Sequence, residues 1–131
     1  MENLDIIYAY TRADAIEDGN LVDVSETAKE AGFSAPVAMT RTVYERIVTL
    51  PTGYKGWQDE SGRLWDVLYM CALACRRSPD SSRIVATVLV RDIRKDMRDS
   101  NRPPKQHHPI VVIGPGDDGE AVITIMFPED D

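Results

Sequence analysis

"IVVIGPGDDGEAVITIMF", residues 110–127, decides how the C-terminal third of the chain is read. It holds a formal G-x-G-x-x-G at Gly114, Gly116 and Gly119, the spacing of loops that cradle a dinucleotide pyrophosphate. Such a loop follows a strand and opens a helix whose amides hold the phosphates. Ile110 to Ile113 supplies the strand. Ala121 to Phe127 does not supply the helix, because it is β-branched and apolar and stops at Pro128, which reads as a second strand. Asp117 and Asp118 would also repel a pyrophosphate. The stretch therefore predicts a β-hairpin, with its glycines at positive-φ positions and both aspartates exposed at the tip.

Upstream, helical signals dominate. Thr11 with Asp14 and a terminal Gly19 delimits a helix over Arg12–Asp18. Leu4–Tyr10 before it, and Leu21–Val24 after it, read as extended. Ser25 is expected to cap a helix through Ala31, closed by Gly32 with Phe33 packed behind it. Thr42 and Glu45 form a capping box, with Val43, Ile47 and Leu50 on one helical face ended by Pro51. The longest helix runs from near Ser61 to near Arg77. Leu64, Val67, Leu68, Cys71, Ala74 and Cys75 form its apolar stripe, and Trp65, Tyr69 and Leu73 a second row, so burial on more than one side is expected. Asp59 and Arg63 are spaced as an i, i+4 ion pair.

Arg83–Val90 reads as one strand from its β-branched content. Ile93–His108 is a long polar connection, either functional or mobile. The Glu129–Asp131 tail is expected to fray. The fold expected is α+β: short N-terminal helices and one longer amphipathic helix packed on a C-terminal three-stranded antiparallel meander, within a single domain spanning residues 1–131.

The chain has 131 residues, 43% of them apolar, enough for a core without disulfides or metals. Its net charge of -7 is unevenly placed. Residues 1–33 carry eight acids against two bases, whereas residues 91–108 carry six bases against three acids. Both regions can steer partners or simply solvate the surface. The first residues lack the pattern of a signal peptide, and no apolar run reaches membrane-spanning length, so a cytoplasmic location without membrane contact is expected.

Few residues carry recognisable chemistry. Cys71, Cys75, His107 and His108 could make a zinc set, but the cysteines lie inside the apolar stripe, where free Cys acts as a small hydrophobe. Asp117, Asp118 and Glu120 lack the alternation of a calcium loop. No G-x-S-x-G nucleophile motif occurs. No catalytic residue, metal or cofactor is assigned. The stretch with recognition character is "GWQDESGRLWDVL", residues 56–68, which holds both tryptophans. Trp57, Gln58, Asp59, Glu60, Arg63, Trp65 and Asp66 are its candidate partner-binding residues, and Trp with Arg is hot-spot composition. The alternative is that both rings seal the core edge while Asp59 and Glu60 complement the helix dipole. The row shared with Tyr69 and Leu73 makes Trp65 the core member of the two. Asp14, Glu17 and Asp18 add an acidic face.

Three blocks, "YTRADAIEDGNLVDVSETAKEAGF", "QDESGRLWDVL" and "GPGDDGEAVITIMFPEDD", give the chain a resemblance to a family. It resembles small domain-of-unknown-function proteins encoded on bacterial plasmids, integrative elements and phages. That resemblance implies accessory cargo of mobile DNA; the small size and acidity of such cargo then lead to the expectation of a non-enzymatic inhibitor that binds protein subunits of a host defence complex, of anti-CRISPR or antirestriction type. It implies no catalytic residues. Two other readings stand beside it. "IIYAYTRADAIEDGNLVDVS" resembles the opening of ADP-ribosyltransferase-like folds, although the His or Arg expected on the first strand is absent and only Tyr8 and Tyr10 stand there. The basic 91–108 segment would suit a plasmid-encoded DNA-binding regulator. The acidic total argues against direct nucleic-acid binding, because such affinity comes largely from phosphate neutralisation.

Overall fold

The computed structural model describes residues 9–130. Thr11 opens α1 (Arg12–Asp18): its hydroxyl accepts from the Asp14 amide, the Asp14 carboxylate accepts from the Thr11 amide, and Gly19 ends the helix. A short strand, β1 (Leu21–Asp23), leads into α2 (Ser25–Ala31). Ser25 does not cap that helix. Its hydroxyl donates to Asp23 and accepts from the Val37 amide, tying α2 to the next strand. Gly32 stops α2 as expected, and Phe33 is buried behind it.

Next come β2 (Val37–Thr40) and α3 (Arg41–Ile47). The cap of α3 is Thr40, which accepts from the Val43 amide, rather than Thr42; the helix ends before Leu50. The long helix α4 spans Glu60–Arg77. It is followed by β3 (Arg83–Val85), β4 (Val88–Val90), β5 (Lys105–His107), β6 (Ile110–Pro115) and β7 (Ala121–Met126), and by a 3-10 turn over Pro128–Asp130. Of the stretch expected to be extended at Leu4–Tyr10, residues 4–8 lie outside the described residues, and Ala9 and Tyr10 form neither helix nor strand.

The class is α+β, but the sheet is not a three-stranded meander. Five strands run in the order β1-β2-β7-β6-β3, and β4 pairs with β5 in a separate ribbon. The expected antiparallel order is present as β3-β6-β7, but two features depart from it. First, β2 inserts beside β7 in parallel, with Val37, Ala38 and Met39 opposite Ile123, Thr124 and Ile125. Second, the expected strand 83–90 divides at Ala86–Thr87: the Ala86 amide still bonds the Pro109 carbonyl in the β3–β6 register, but proline has no amide to return the bond. Its first half joins β6, and its second half leaves for the ribbon.

Register puts one apolar stripe across the sheet. Val37 lies opposite Ile123, which lies opposite Ile113; Met39 lies opposite Ile125, then Val111, then Ile84. Cross-strand partners share a face, so these side chains form one apolar surface. They join Val43, Ile47, Val67, Leu68 and Cys71 from α3 and α4 in the core. Burial pushes the Cys71 thiol up to about 12, with Cys75 adding to it, so Cys71 stays protonated and acts as a core hydrophobe. No helix of the described residues is long and apolar enough to cross a membrane.

The hairpin tip is turned as expected, but only Gly119, at φ 84°, takes the left-handed conformation; Gly114 and Gly116 do not. Asp117 and Asp118 are exposed. Asp117 has a task as well: its two carboxylate oxygens accept from the Arg12 and Ala13 amides at 2.9 and 3.0 Å. These amides start α1 and have no partner inside the helix. The Arg12 side chain then reaches into the sheet, donating to the Thr124 hydroxyl at 2.6 Å and the Ile123 carbonyl at 2.7 Å. The tail is pinned too: Asp130 accepts from the Thr40 hydroxyl and the Phe127 amide, and Arg46 pairs with Glu129 at 3.4 Å. Asp131 lies outside the described residues.

Asp117→Ala should cost about 1 kcal/mol, the usual scale for a lost N-terminal cap. Denaturant unfolding checks this, and Asp118→Ala, which removes an exposed carboxylate and keeps the backbone amide that bonds Glu120, should leave the midpoint unchanged.

Candidate functional site

The segment with recognition character folds against the basic connection that follows β4. That connection is folded on itself by its own bonds. Ile93 and Asp99 form a bridge, the Ser100 amide bonds the Asp92 carbonyl, and Arg94 and Arg98 close a tight turn. Met97 in this turn sits at φ 68°, a left-handed conformation that costs a non-glycine residue energy. The turn therefore needs support, and the Lys55 amide supplies some by bonding the Met97 carbonyl at 2.8 Å.

Asp99 is the centre of the junction. Its carboxylate accepts from the Tyr54 hydroxyl at 2.5 Å, the Gln58 side-chain amide at 2.8 Å and the Trp57 backbone amide at 3.0 Å. The Tyr54 hydroxyl in turn accepts from the Gln58 backbone amide at 2.7 Å. The bond from the Trp57 amide, then those from Tyr54 and Gln58, hold Asp99 below the usual carboxylate range. Desolvation and the bond to Asp99 hold the Tyr54 phenol above its ordinary value. Both shifts preserve a protonated phenol donating to an ionised carboxylate.

Arg63 anchors the same junction from inside. It is the one buried charged residue among those described. Its guanidinium donates to the Val48 carbonyl at 3.1 Å, Gln58 Oε1 at 2.7 Å and the Arg91 carbonyl at 3.2 Å. Burial lowers its pKa below the ordinary arginine value, with Tyr54 and acids nearby working the other way. The expected pair with Asp59 does not form. Asp59 is the N-cap of α4 and accepts from the Gly62 amide at 2.7 Å, while Glu60 accepts from the Leu50 amide at 3.0 Å.

The other candidates point outward. Trp57 is 98% exposed, although its backbone is held by Asp99. Trp65 is not a core residue: it is 37% exposed and stacks on Tyr69, itself 38% exposed, with ring centroids 5.0 Å apart. The reason is that α4 buries one face only, through Val67, Leu68, Cys71 and Ala72. Trp65, Tyr69 and Leu73 follow at i, i+4 and i+8 on the side turned from it. Asp66 is exposed and shares a hollow of 280 Å³ with Gln58, Arg63, Leu89, Arg91 and Pro104. Asp14, Glu17 and Asp18 lie on α1, which packs beside β1, while the Trp57–Asp66 segment faces residues 91–102. Asp14 serves the α1 cap, Asp18 accepts from the Tyr10 hydroxyl, and Glu17 is exposed.

Sequence reasoning missed Tyr54, Lys55, Asp99, Arg94 and Arg98 as parts of this site. The charge reversal over 91–108 marked the region, but the 45-residue separation of Tyr54 from Asp99 leaves no local pattern. Among the described residues, no three His, Cys, Asp or Glu side chains are placed to hold a metal. His107 lies in β5, and burial lowers its pKa.

Two predictions follow from this geometry. Arg63→Met removes the donor to the Val48 carbonyl and Gln58 Oε1 and one of the two to the Arg91 carbonyl, and should cost about 1–3 kcal/mol; Arg63→Lys should restore little, because an ammonium cannot span these acceptors, while Trp57→Ala should shift stability by less than about 0.5 kcal/mol. Denaturant titration of the three variants checks the order.

The second concerns acid. Asp99 has its folded pKa below its unfolded one, so its stabilisation is complete above the free aspartate value of about 3.9 and is lost as pH falls through the depressed folded value. The Trp57 amide resonance should therefore titrate with a midpoint below about 3.9, and Asp99→Asn should abolish that step.

No curated protein and no solved structure matches the chain. A family model does, over residues 1–131. The chain belongs to the DUF6573 family, a family of unknown function.

Proposed function

We propose that this chain is a non-enzymatic, cytoplasmic accessory protein of mobile DNA that binds a protein subunit of a host defence complex, as an anti-CRISPR or antirestriction inhibitor does. The observation that carries the binding reading is Trp57. Its indole is 98% exposed, yet its backbone amide is fixed by the Asp99 carboxylate. A large exposed aromatic on an ordered backbone binds with little loss of conformational freedom, and tryptophan is enriched among residues that dominate interface energy. Asp66 and the stacked Trp65–Tyr69 pair extend the surface along α4. Asp59 caps the helix beneath it, Gln58 and Arg63 tie it to residues 91–99 and Val48, Glu60 holds the Leu50 amide, and Asp14, Glu17 and Asp18 form a separate acidic face on α1.

The defence-complex assignment rests on the resemblance to cargo of mobile elements. Immobilised protein should capture a subunit of a host CRISPR effector or restriction complex, and Trp57→Ala should weaken capture about tenfold or more. Failure of both forms to retain any defence subunit would overturn the assignment.

A further inference from the structure

Trp57 stands between two hollows of opposite charge. One, of 360 Å³, is lined by Lys55, Trp57, Arg94, Arg98 and Asn101, with Asp99 at its base. The other, of 230 Å³, is lined by Trp57, Gln58, Asp59, Arg63 and Asp66. On the first side, the Lys55 and Arg98 side chains have no partner among the described residues. Arg94 is paired only with Asp96 at 2.9 Å, in an exposed bridge of the kind that holds little energy. Asp99 keeps its negative charge in this hollow, with its oxygens bonded to Tyr54, Trp57 and Gln58, so three cations there face one carboxylate. Arg94 also borders a further hollow with Lys95, Ser100 and Arg102, so positive charge continues round the turn. On the second side Asp66 is exposed and unpartnered among the described residues, and one oxygen of Asp59 is left over from capping.

We infer that this surface takes a protein segment of split charge: carboxylates against Lys55, Arg94 and Arg98, an apolar or aromatic side chain on Trp57, and a cationic side chain toward Asp59 and Asp66. The inference rests on the protein-partner reading above and gives that partner its chemistry. Charge pattern selects a peptide over a nucleic-acid strand. A strand presents phosphate at every step, so one that stacked a base on Trp57 and ran past it would set phosphate against Asp59 and Asp66. A peptide can change sign within a few residues and match both sides. The turn that carries Arg94 and Arg98 is held by the Ile93–Asp99 bridge and the Lys55–Met97 bond, so the cations are displayed from an ordered backbone.

The test is fluorescence anisotropy on the whole chain, with three labelled probes: a tetraglutamate–tryptophan–dilysine peptide, the same peptide with every glutamate changed to lysine, and oligothymidylate. The first probe should bind saturably and weaken with salt. Binding should fall about tenfold in Trp57→Ala and again in the Arg94→Ala, Arg98→Ala double variant, whose exposed side chains are not needed for folding. Asp66→Lys should weaken this probe while strengthening oligothymidylate. The inference is overturned if oligothymidylate binds the unaltered chain more tightly than the first probe, if the all-lysine probe binds as well, if the cation variants bind unchanged, or if no probe binds at millimolar concentration. Failure here with a Trp57-dependent capture of a defence subunit would leave the protein-partner reading standing. Success here with no such capture would remove the defence assignment alone.

Discussion

The parallel pairing of Val37–Met39 with Ile123–Ile125 is the constraint on which the rest of the molecule depends. It joins the helical N-terminal part to the C-terminal hairpin, and side-chain bonds reinforce the join. Arg12 donates to Thr124 and Ile123, Asp117 holds the start of α1, and Asp130 holds Thr40. The same pairing sets the register that turns Met39, Ile125, Val111 and Ile84 to one face. A slip of one residue would send that stripe to the opposite face and remove the bed on which α3 and α4 pack.

The candidate site is an outgrowth of that bed. Because α4 spends one face on the sheet, its N-terminal end is free to carry Asp59 and Arg63 into the junction with residues 91–102. The long connection, which contributes little to the main core, is ordered by Asp99, Arg91 and Arg63 instead. Polar ties thus replace apolar packing in this part of the chain, and they leave Trp57 and the cations beside it facing solvent.

Elements with local signatures could be read before the structure. Thr11, Asp14 and Gly19 delimit α1, Gly32 ends α2, and the alternation broken by Gly119 marks the hairpin. The strand Val37–Thr40 could not be read, because its first three residues are buried and show no alternation, and its partner lies far along the chain. Arg83–Val90 misled for the opposite reason: a continuous β-branched run conceals that its ladder with β6 stops at Pro109, which has no amide to donate, and that the run divides between two sheets. In the site, composition singled out Trp57, Arg63 and Asp66 but not their roles. Spacing suggested an Asp59–Arg63 pair and a core Trp65. Burial decided otherwise, drawing Arg63 inward to three acceptors and leaving Trp65 on the outer side of α4.

The central claim is that Trp57 is an exposed side chain on a rigid backbone, which separates a preformed binding surface from a loose loop. Backbone ¹⁵N relaxation and amide hydrogen exchange at Trp57 test it most directly. The account predicts an order parameter of about 0.85 and a protected amide, both lost in Asp99→Asn. An order parameter below about 0.6 in the unaltered protein, with unprotected exchange, would contradict it.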